Sequence, residues 1–240
     1  DQPRTTAVKV EEGRIKTGKL AGLSMGRAIW VLSWPILIEA FLNSAVGLVD
    51  TMLAAGISEA AADAIGGASY ITWLLTIIGI AIGVGATALV SRSMGRGRQA
   101  FADTAAAQSV LLAIGAGLVV GVLVFALAPA LATMLQLNEE ASGKLIGYLR
   151  VVAFGVPMIS VLTAGSACCR GAGDSLRPLI AFGGVNILNI AVSWIASGVD
   201  IAVSRPDPDG GFTRHVILAN PFNFDMGING IAVGTLVAWA

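Results

Sequence analysis

Charged side chains are scarce in this sequence. Asp, Glu, Lys and Arg together make up 12% of its 240 residues, about half the share found in an average soluble domain. Hydrophobic residues make up 55%, and they recur in stretches near or above the roughly 20 residues that a membrane-spanning helix needs. The sequence therefore predicts an all-α membrane protein rather than a soluble domain.

Histidine and cysteine are also rare, which argues against several kinds of chemistry. The single histidine, His215, lies in a polar loop, so no membrane-embedded base is available to a serine nucleophile. The HExxH pair of a zinc protease is missing as well. Cys168 and Cys169 are adjacent, and neighbouring helical side chains diverge by about 100°, so we expect neither a disulfide nor a metal site. We expect no enzymatic activity and no bound cofactor.

The apolar stretches predict five complete spans and the start of a sixth. These cover 28–54, 68–91, 104–136, 142–169, 176–199 and 228–240, with the last incomplete and a break possible near Pro129. The chain begins with Asp1 and ends with Ala240 inside an apolar run, so we expect both ends to be cuts in a longer protein.

The polar connections predict the orientation of these spans. Eleven of the fifteen basic residues lie in the tail over 1–27 and in the connections that follow the second and fourth spans. The remaining connections carry acidic residues, or mixed charge in the loop over 200–227. The positive-inside rule therefore places the 1–27 tail in the cytoplasm and the 200–227 loop outside the cell (plasma or inner) membrane.

The first span carries a polar stripe. Glu39 and Asp50 are eleven residues apart, so they share one helix face and are separated by about 16 Å along the axis. Asn43 joins the same face, and Pro35 lies one turn before Glu39, where it predicts a kink or hinge. A carboxylate within a span usually faces an interior pathway. The alternatives are interhelical hydrogen bonding without a transport role, and a static kink at Pro35.

The fifth span carries a second stripe, which has no charge. Asn186, Asn189, Ser193 and Ser197 recur at helical spacing on one face. Amide and hydroxyl oxygens suit a hard cation such as Na⁺, or a proton-relay network. Two polar faces on different helices suggest a shared cavity, although the spacing alone does not show that the faces meet.

Beyond these stripes, short motifs recur along the chain in a characteristic order. They are Trp34-Pro35, Val49-Asp50-Thr51, Gly85-Ala86-Thr87, Ser91-Arg92-Ser93-Met94-Gly95, Tyr148-Leu149-Arg150 with Pro157, Arg170-Gly171-Ala172-Gly173-Asp174 with Pro178, Asn189, and Gly230-Ile231-Ala232-Val233-Gly234-Thr235. In this order and spacing, over about residues 24 to 240, the chain resembles the N-terminal lobe of a multidrug and toxic compound extrusion (MATE) transporter.

The resemblance implies a six-helix N-lobe, here with a truncated sixth helix, of a twelve-helix transporter. It implies a secondary active antiporter that exports small organic, amphipathic compounds in exchange for H⁺ or Na⁺. The expected partners are the substrate, the lipid bilayer and a C-terminal lobe, with no nucleic acid. The family's N-lobe cation site carries over to Asp50, Asn189 and Thr235, with possible Na⁺ binding at Asp50 and Asn189. The family's helix 5 aspartate falls at Ser193, which removes one carboxylate from that site.

Two other functions stay open at this point. A flippase for a lipid-linked precursor, from the same wider superfamily, should carry basic residues for a pyrophosphate, and the spans are nearly free of Lys and Arg apart from Arg150. A channel or a non-transporting membrane scaffold is the other alternative.

Overall fold

Six helices and one β-hairpin make up the part of the chain that the structure, a computed structural model, describes: residues 14, 20–206, 212–222 and 224–240. The elements are α1 Met25–Ile57, α2 Glu59–Gly95, α3 Gln99–Met134, α4 Glu139–Gly171, α5 Leu176–Ser197, β1 Ile201–Pro206, β2 Phe212–Leu218 and α6 Ile228–Trp239. Helices α1 to α5 are long and apolar enough to cross a membrane, which confirms the predicted fold class. Most of the predicted 1–27 tail lies outside the described residues, as does part of the predicted 200–227 loop.

Several helices extend beyond the apolar stretches that predicted them. Helix α2 begins at Glu59, whereas the apolar pattern begins only at 68. The Ser58 side chain caps this end by accepting a hydrogen bond from the Ala61 N–H at 3.1 Å, and Asn138 caps α4 in the same way through Ala141 at 2.7 Å. A capping side chain accepts a hydrogen bond from a backbone N–H group that has no partner within the helix. The first turns of α2 and α4 are therefore helical although they are polar.

Proline does not interrupt the helices. Pro35, Pro129 and Pro157 all lie inside continuous helices, so the break considered near Pro129 does not occur. Membrane helices tolerate proline because neighbouring groups satisfy the freed backbone positions.

Glycines bring the helices into backbone contact. A Cβ at Gly121 of α3 would lie 2.7 Å from the Ala153 carbonyl oxygen of α4, and one at Gly83 of α2 would lie 3.2 Å from Ala167. Small residues at such contacts drive helix association in lipid, where the hydrophobic effect between helices is lost. Gly83 and Gly121 therefore allow α2 and α3 to pack closely against α4.

The main apolar core lies at the end of the bundle that carries the 200–227 segment. Leu53, Leu145, Leu149 and Ile231 are fully buried there, near the end of α1 and the starts of α4 and α6. A smaller cluster around Val90 and Ala105 holds α2 and α3 together at the opposite end.

The segment over 200–227 contains a β-hairpin, which the sequence does not predict. Strands β1 and β2 pair antiparallel, with Val203 opposite His215. Asn220 attaches the segment to the bundle: its side-chain amide donates to the Trp194 carbonyl at 2.6 Å, and its backbone N–H donates to Asp200 at 2.7 Å. Gly198 ends α5 with a positive φ of 72°, and a Cβ there would lie 2.8 Å from the Asp225 backbone. The 200–227 segment is therefore held close to the end of α5.

Candidate functional site

A cavity of about 590 Å³ lies among α1, α2, α4, α5 and α6. Residues from both polar stripes line it, so the faces that the sequence could only place separately do meet in the fold, although Ser193 and Ser197 of the second stripe are not on the wall. The predicted residues on its wall are Glu39, Asn43, Asp50, Asn186, Asn189 and Thr235. Apolar side chains such as Trp73, Phe182 and Trp239 form much of the remaining wall.

Asp50 is buried without full hydrogen bonding. Its side chain faces the cavity and the residue is only 8% exposed, yet its Oδ1 atom has no hydrogen-bond partner. A buried acceptor without a partner is costly, and a carboxylate more so. The arrangement therefore suits a group that takes up a proton or a metal cation.

Tyr148 of α4 also belongs to this site, although the sequence identified it only as part of a motif. It is buried on the cavity wall, within interaction range of the Asp50 carboxylate and the Thr235 hydroxyl. A buried tyrosine hydroxyl usually has a hydrogen-bond partner, so a tyrosine within a membrane span could have been expected to contact a polar residue. The sequence does not show which helix supplies that partner.

Asn189 and Thr235 are held together by direct contact. The Asn189 amide donates from Nδ2 to Thr235 Oγ1 at 3.2 Å, and the Thr235 hydroxyl donates to the Ile231 carbonyl at 3.2 Å. These bonds join α5 to α6 and fix both side chains beside the cavity. A hard cation prefers oxygen ligands, and this part of the cavity offers them on Asp50, Asn189, Thr235 and Tyr148.

Ser193 does not line the cavity. It is fully buried in the contact between α5 and α6, against the backbone of Gly234. Its hydroxyl donates at 3.4 Å towards both Asn189 Oδ1 and the Ile231 carbonyl. The side chain therefore lies behind Asn189, where a carboxylate has little room.

A second pair of amides links α1 to α5. The Asn186 Nδ2 donates to Asn43 Oδ1 at 2.9 Å. Both residues face the cavity between Glu39 and the Asp50 region, so they divide its polar wall into two parts.

Glu39 is paired with Arg170, a contact that the sequence interpretation missed. The Arg170 Nη2 atom lies 2.7 Å from both carboxylate oxygens of Glu39, while its Nε is buried without a partner. The sequence placed Arg170 in the connection after the fourth span. Instead, it occupies the last turn of α4 and faces α1. The sequence does offer a reason to expect such a pair, because a buried glutamate requires a counter-charge.

The described residues contain no cluster of three or more His, Cys, Asp or Glu side chains that could hold a metal ion. Both cysteines are free. The donor set at Asp50 fits a proton or an alkali cation rather than a transition metal.

Comparison with known proteins is consistent with this geometry. The MatE family model matches residues 35–195, two thirds of the chain. The chain is 27% identical over 212 residues to the probable multidrug resistance protein NorM of Thermotoga maritima, covering 86% of this chain and 40% of that protein. The chain thus spans about 40% of the length of that relative.

Solved structures share the fold. A MOP superfamily transporter from Pyrococcus furiosus superposes with a TM-score of 0.72 at 23% identity, over 89% of this chain and 42% of the other. The Vibrio cholerae MATE transporter VcmN in its bent form gives a TM-score of 0.72 at 19% identity, over 89% of this chain and 43% of the other. At these identities the likeness supports the architecture alone.

Proposed function

The chain belongs to the MatE family and has the fold of that family's N-terminal lobe, and from this premise we propose that it forms part of a secondary active antiporter. The transporter exports small organic, amphipathic compounds in exchange for H⁺ or Na⁺, together with a C-terminal lobe. The observation that carries the proposal is the Oδ1 atom of Asp50, which has no hydrogen-bond partner and faces a cavity that residues from both polar stripes line.

The coupling cation binds at Asp50 in this proposal. Asn189 and Thr235 supply further oxygens, and Ser193 holds the Asn189 amide in place through their 3.4 Å contact. Binding a cation neutralises the carboxylate and lowers the cost of keeping it buried. The cation and the substrate then favour different arrangements of α1, and linkage makes each weaken the binding of the other.

Pro35 is the proposed hinge of α1. It lies inside the helix, four residues before Glu39 and on the same side of Asp50 as the Glu39–Arg170 pair. The missing backbone hydrogen bond at proline allows the helix to bend with little further loss of bonding. Bending at this position would move the first turns of α1 relative to the cavity.

The character of the cavity favours amphipathic substrates. Its wall combines tryptophan and phenylalanine surfaces with a few polar groups, and one of its two carboxylates is already neutralised by Arg170. Loosely specific binding follows from apolar contact area with few directional groups. The Thermotoga maritima relative is described as a probable multidrug resistance protein, which agrees with such substrates.

We also propose that the protein lies in the plasma or inner membrane with its N-terminus in the cytoplasm. In a Cys168→Ser, Cys169→Ser background, a cysteine replacing His215 on exposed β2 should react with an impermeant maleimide added to intact cells. A cysteine replacing Arg96, in the α2–α3 connection, should react only after the cells are opened. The reverse labelling pattern would contradict this orientation.

The flippase alternative finds little support in the cavity. Arg170 is the only lysine or arginine among the described residues on its wall, and it is occupied by Glu39. A pyrophosphate would require free positive charge there. Arg150 lies outside this cavity, exposed over the Phe125 ring.

Substituting Asp50 tests the proposed function. In membrane vesicles that contain the whole transporter, Asp50→Asn should remove most of the cation-driven efflux of a fluorescent amphipathic dye. Asp50 is the only carboxylate among the described residues on the cavity wall that has no ion-pair partner. The matched control is Asp63→Asn, an acidic residue of α2 outside the cavity wall. Full efflux by Asp50→Asn would overturn the proposal.

A further inference from the structure

A second concave site lies on the opposite side of α4 from the Asp50 cavity. It is a groove of about 410 Å³ between α3 and α4. Its floor is the close contact at which Gly121 meets the Ala153 carbonyl. Leu118, Val122 and Phe154 form its apolar walls and are each more than half exposed. We call it the α3–α4 groove.

A positively charged side chain, Arg150, lies beside this groove. The guanidinium of Arg150 lies over the Phe125 ring, 5.4 Å from the ring centroid, and Phe125 contacts Phe154 edge-on at 5.7 Å. Arg150 is exposed, and none of the ion pairs among the described residues includes it. An exposed, unpaired arginine within a membrane-spanning helix is costly unless it reaches a polar group.

The depth of Arg150 suggests which polar group it reaches. Helix α4 has 33 residues, so it is about 50 Å long and exceeds the roughly 30 Å hydrocarbon core by about 10 Å at each end. Arg150 lies eleven residues after Glu139, which places its Cα about 16 Å from the outer end of α4 and several ångström inside the hydrocarbon. An arginine side chain is long enough to extend from there to the headgroup layer.

We propose that the α3–α4 groove binds an anionic phospholipid, with one acyl chain along Leu118, Val122 and Phe154 and the headgroup phosphate on Arg150. The assignment to the outer leaflet rests on the proposed orientation. The guanidinium offers two parallel N–H donors to phosphate oxygens, while Phe125 holds its opposite face. The groove thus presents apolar walls and a cation at the heights where such a lipid has a chain and a phosphate.

Lipid retention by the purified whole transporter tests this proposal. Native mass spectrometry follows phosphatidylglycerol and phosphatidylcholine with identical acyl chains, added in detergent at equal concentration. We expect wild-type protein to retain phosphatidylglycerol preferentially and Arg150→Gln to lower that retention about fivefold, the effect of one basic residue near an anionic surface. Arg92→Gln, which removes an exposed charge at the other end of the bundle, should leave retention unchanged.

A second pair of variants tests the groove itself. Ala126→Trp fills the groove while keeping Arg150, and it should lower retention of both lipids. Ala107→Trp adds the same side chain to an exposed position of α3 outside the groove and should change neither. Equal retention of the two lipids, equal losses with Arg150→Gln and Arg92→Gln, or no loss with Ala126→Trp would each overturn the proposal. So would a second protein copy seated on the groove in place of lipid.

The readout is independent of transport. Asp50→Asn should retain lipid as the wild type does, because Asp50 lies in the other cavity. Failure of lipid retention and failure of the antiport proposal are therefore distinguishable.

Discussion

The two buried carboxylates of the cavity differ in how their charge is compensated. Glu39 receives two contacts of 2.7 Å from Arg170, whereas one oxygen of Asp50 has no partner. A paired carboxylate gains from remaining ionised, while a partnerless one gains from binding a cation. At the level of single residues we therefore assign coupling to Asp50 and attachment of α1 to α4 to the Glu39–Arg170 pair.

Removing one member of that pair should cost more than removing both. Glu39→Gln leaves the Arg170 guanidinium largely buried beside a neutral group. We expect the free energy of unfolding to fall by about 3 kcal/mol, the lower end of the usual cost, because the Arg170 side chain is 26% exposed. The double variant Glu39→Leu, Arg170→Leu should recover most of that loss, because neither charge remains buried.

Thermal unfolding in detergent measures both, and a double-mutant cycle isolates the coupling. The cycle compares the wild type, Glu39→Leu, Arg170→Leu and the double variant. Additive effects of the two single Leu substitutions would show that the pair contributes nothing and would contradict the assignment.

Sequence reasoning reached some site residues more readily than others. Asp50 and Asn189 follow from helical spacing, because a polar residue on an apolar helix is visible locally. Arg170 and Tyr148 were missed as site residues because their roles depend on which helices pack together across the bundle. Ser193 shares the face of Asn189 in the sequence, yet the closeness of α6 at Gly234 places it behind the cavity wall. An aspartate at position 193 would have little room beside the Gly234 backbone, so we do not expect a carboxylate there to reach the cavity.

At the level of secondary-structure elements, the contact between α5 and α6 sets the geometry of the cation site. Gly230 packs against the backbone of Ala196, and Gly234 packs against Ser193. These glycines are four residues apart, so they form one small-residue face along α6. Thr235 is the next residue after Gly234, so its distance from Asn189 depends directly on this packing.

Enlarging Gly234 should therefore disturb both stability and the site. A Cβ at Gly234 would lie 2.5 Å from the Ser193 backbone nitrogen, so Gly234→Ala forces α5 and α6 apart. We expect a loss of about 1–3 kcal/mol in unfolding free energy, the usual cost of overpacking. Thermal unfolding should show a lower melting temperature and weaker stabilisation by the coupling cation.

Gly115→Ala is the matched control. It lies inside α3 with open space around its Cα, and helix propensity favours alanine there. It should leave the melting temperature unchanged or raise it slightly. A stability of Gly234→Ala equal to that of Gly115→Ala would show that α5 and α6 are not held at backbone contact.

The elements also show where hydropathy fails as a predictor. It found the apolar middle of each span and missed the capped, polar first turn of α2, because capping acts through single side chains such as Ser58. Hydropathy likewise gave no sign of the β1–β2 hairpin or of the hydrogen bond by which Asn220, which follows β2, attaches to the end of α5.

For the molecule as a whole, the main apolar core and the Glu39–Arg170 pair lie at different heights in the bundle. The core around Leu53 and Leu149 joins the helices at the end that we propose is outside. The ion pair joins α1 to the last turn of α4 near the other end, and the cavity that contains Asp50 extends from this pair towards the core. A lobe built in this way can keep its outer end fixed while α1 bends at Pro35.

Ion release on substrate binding tests the proposed exchange at the level of the whole transporter. Purified full-length protein is titrated with an amphipathic cation in weakly buffered solution, while proton release and displacement of radioactive Na⁺ are counted. Wild-type protein should release the coupling cation as substrate binds, because each ligand weakens the binding of the other. Asp50→Asn should still bind substrate and release none. Equal cation release by Asp50→Asn and the wild type would contradict the assignment of coupling to Asp50.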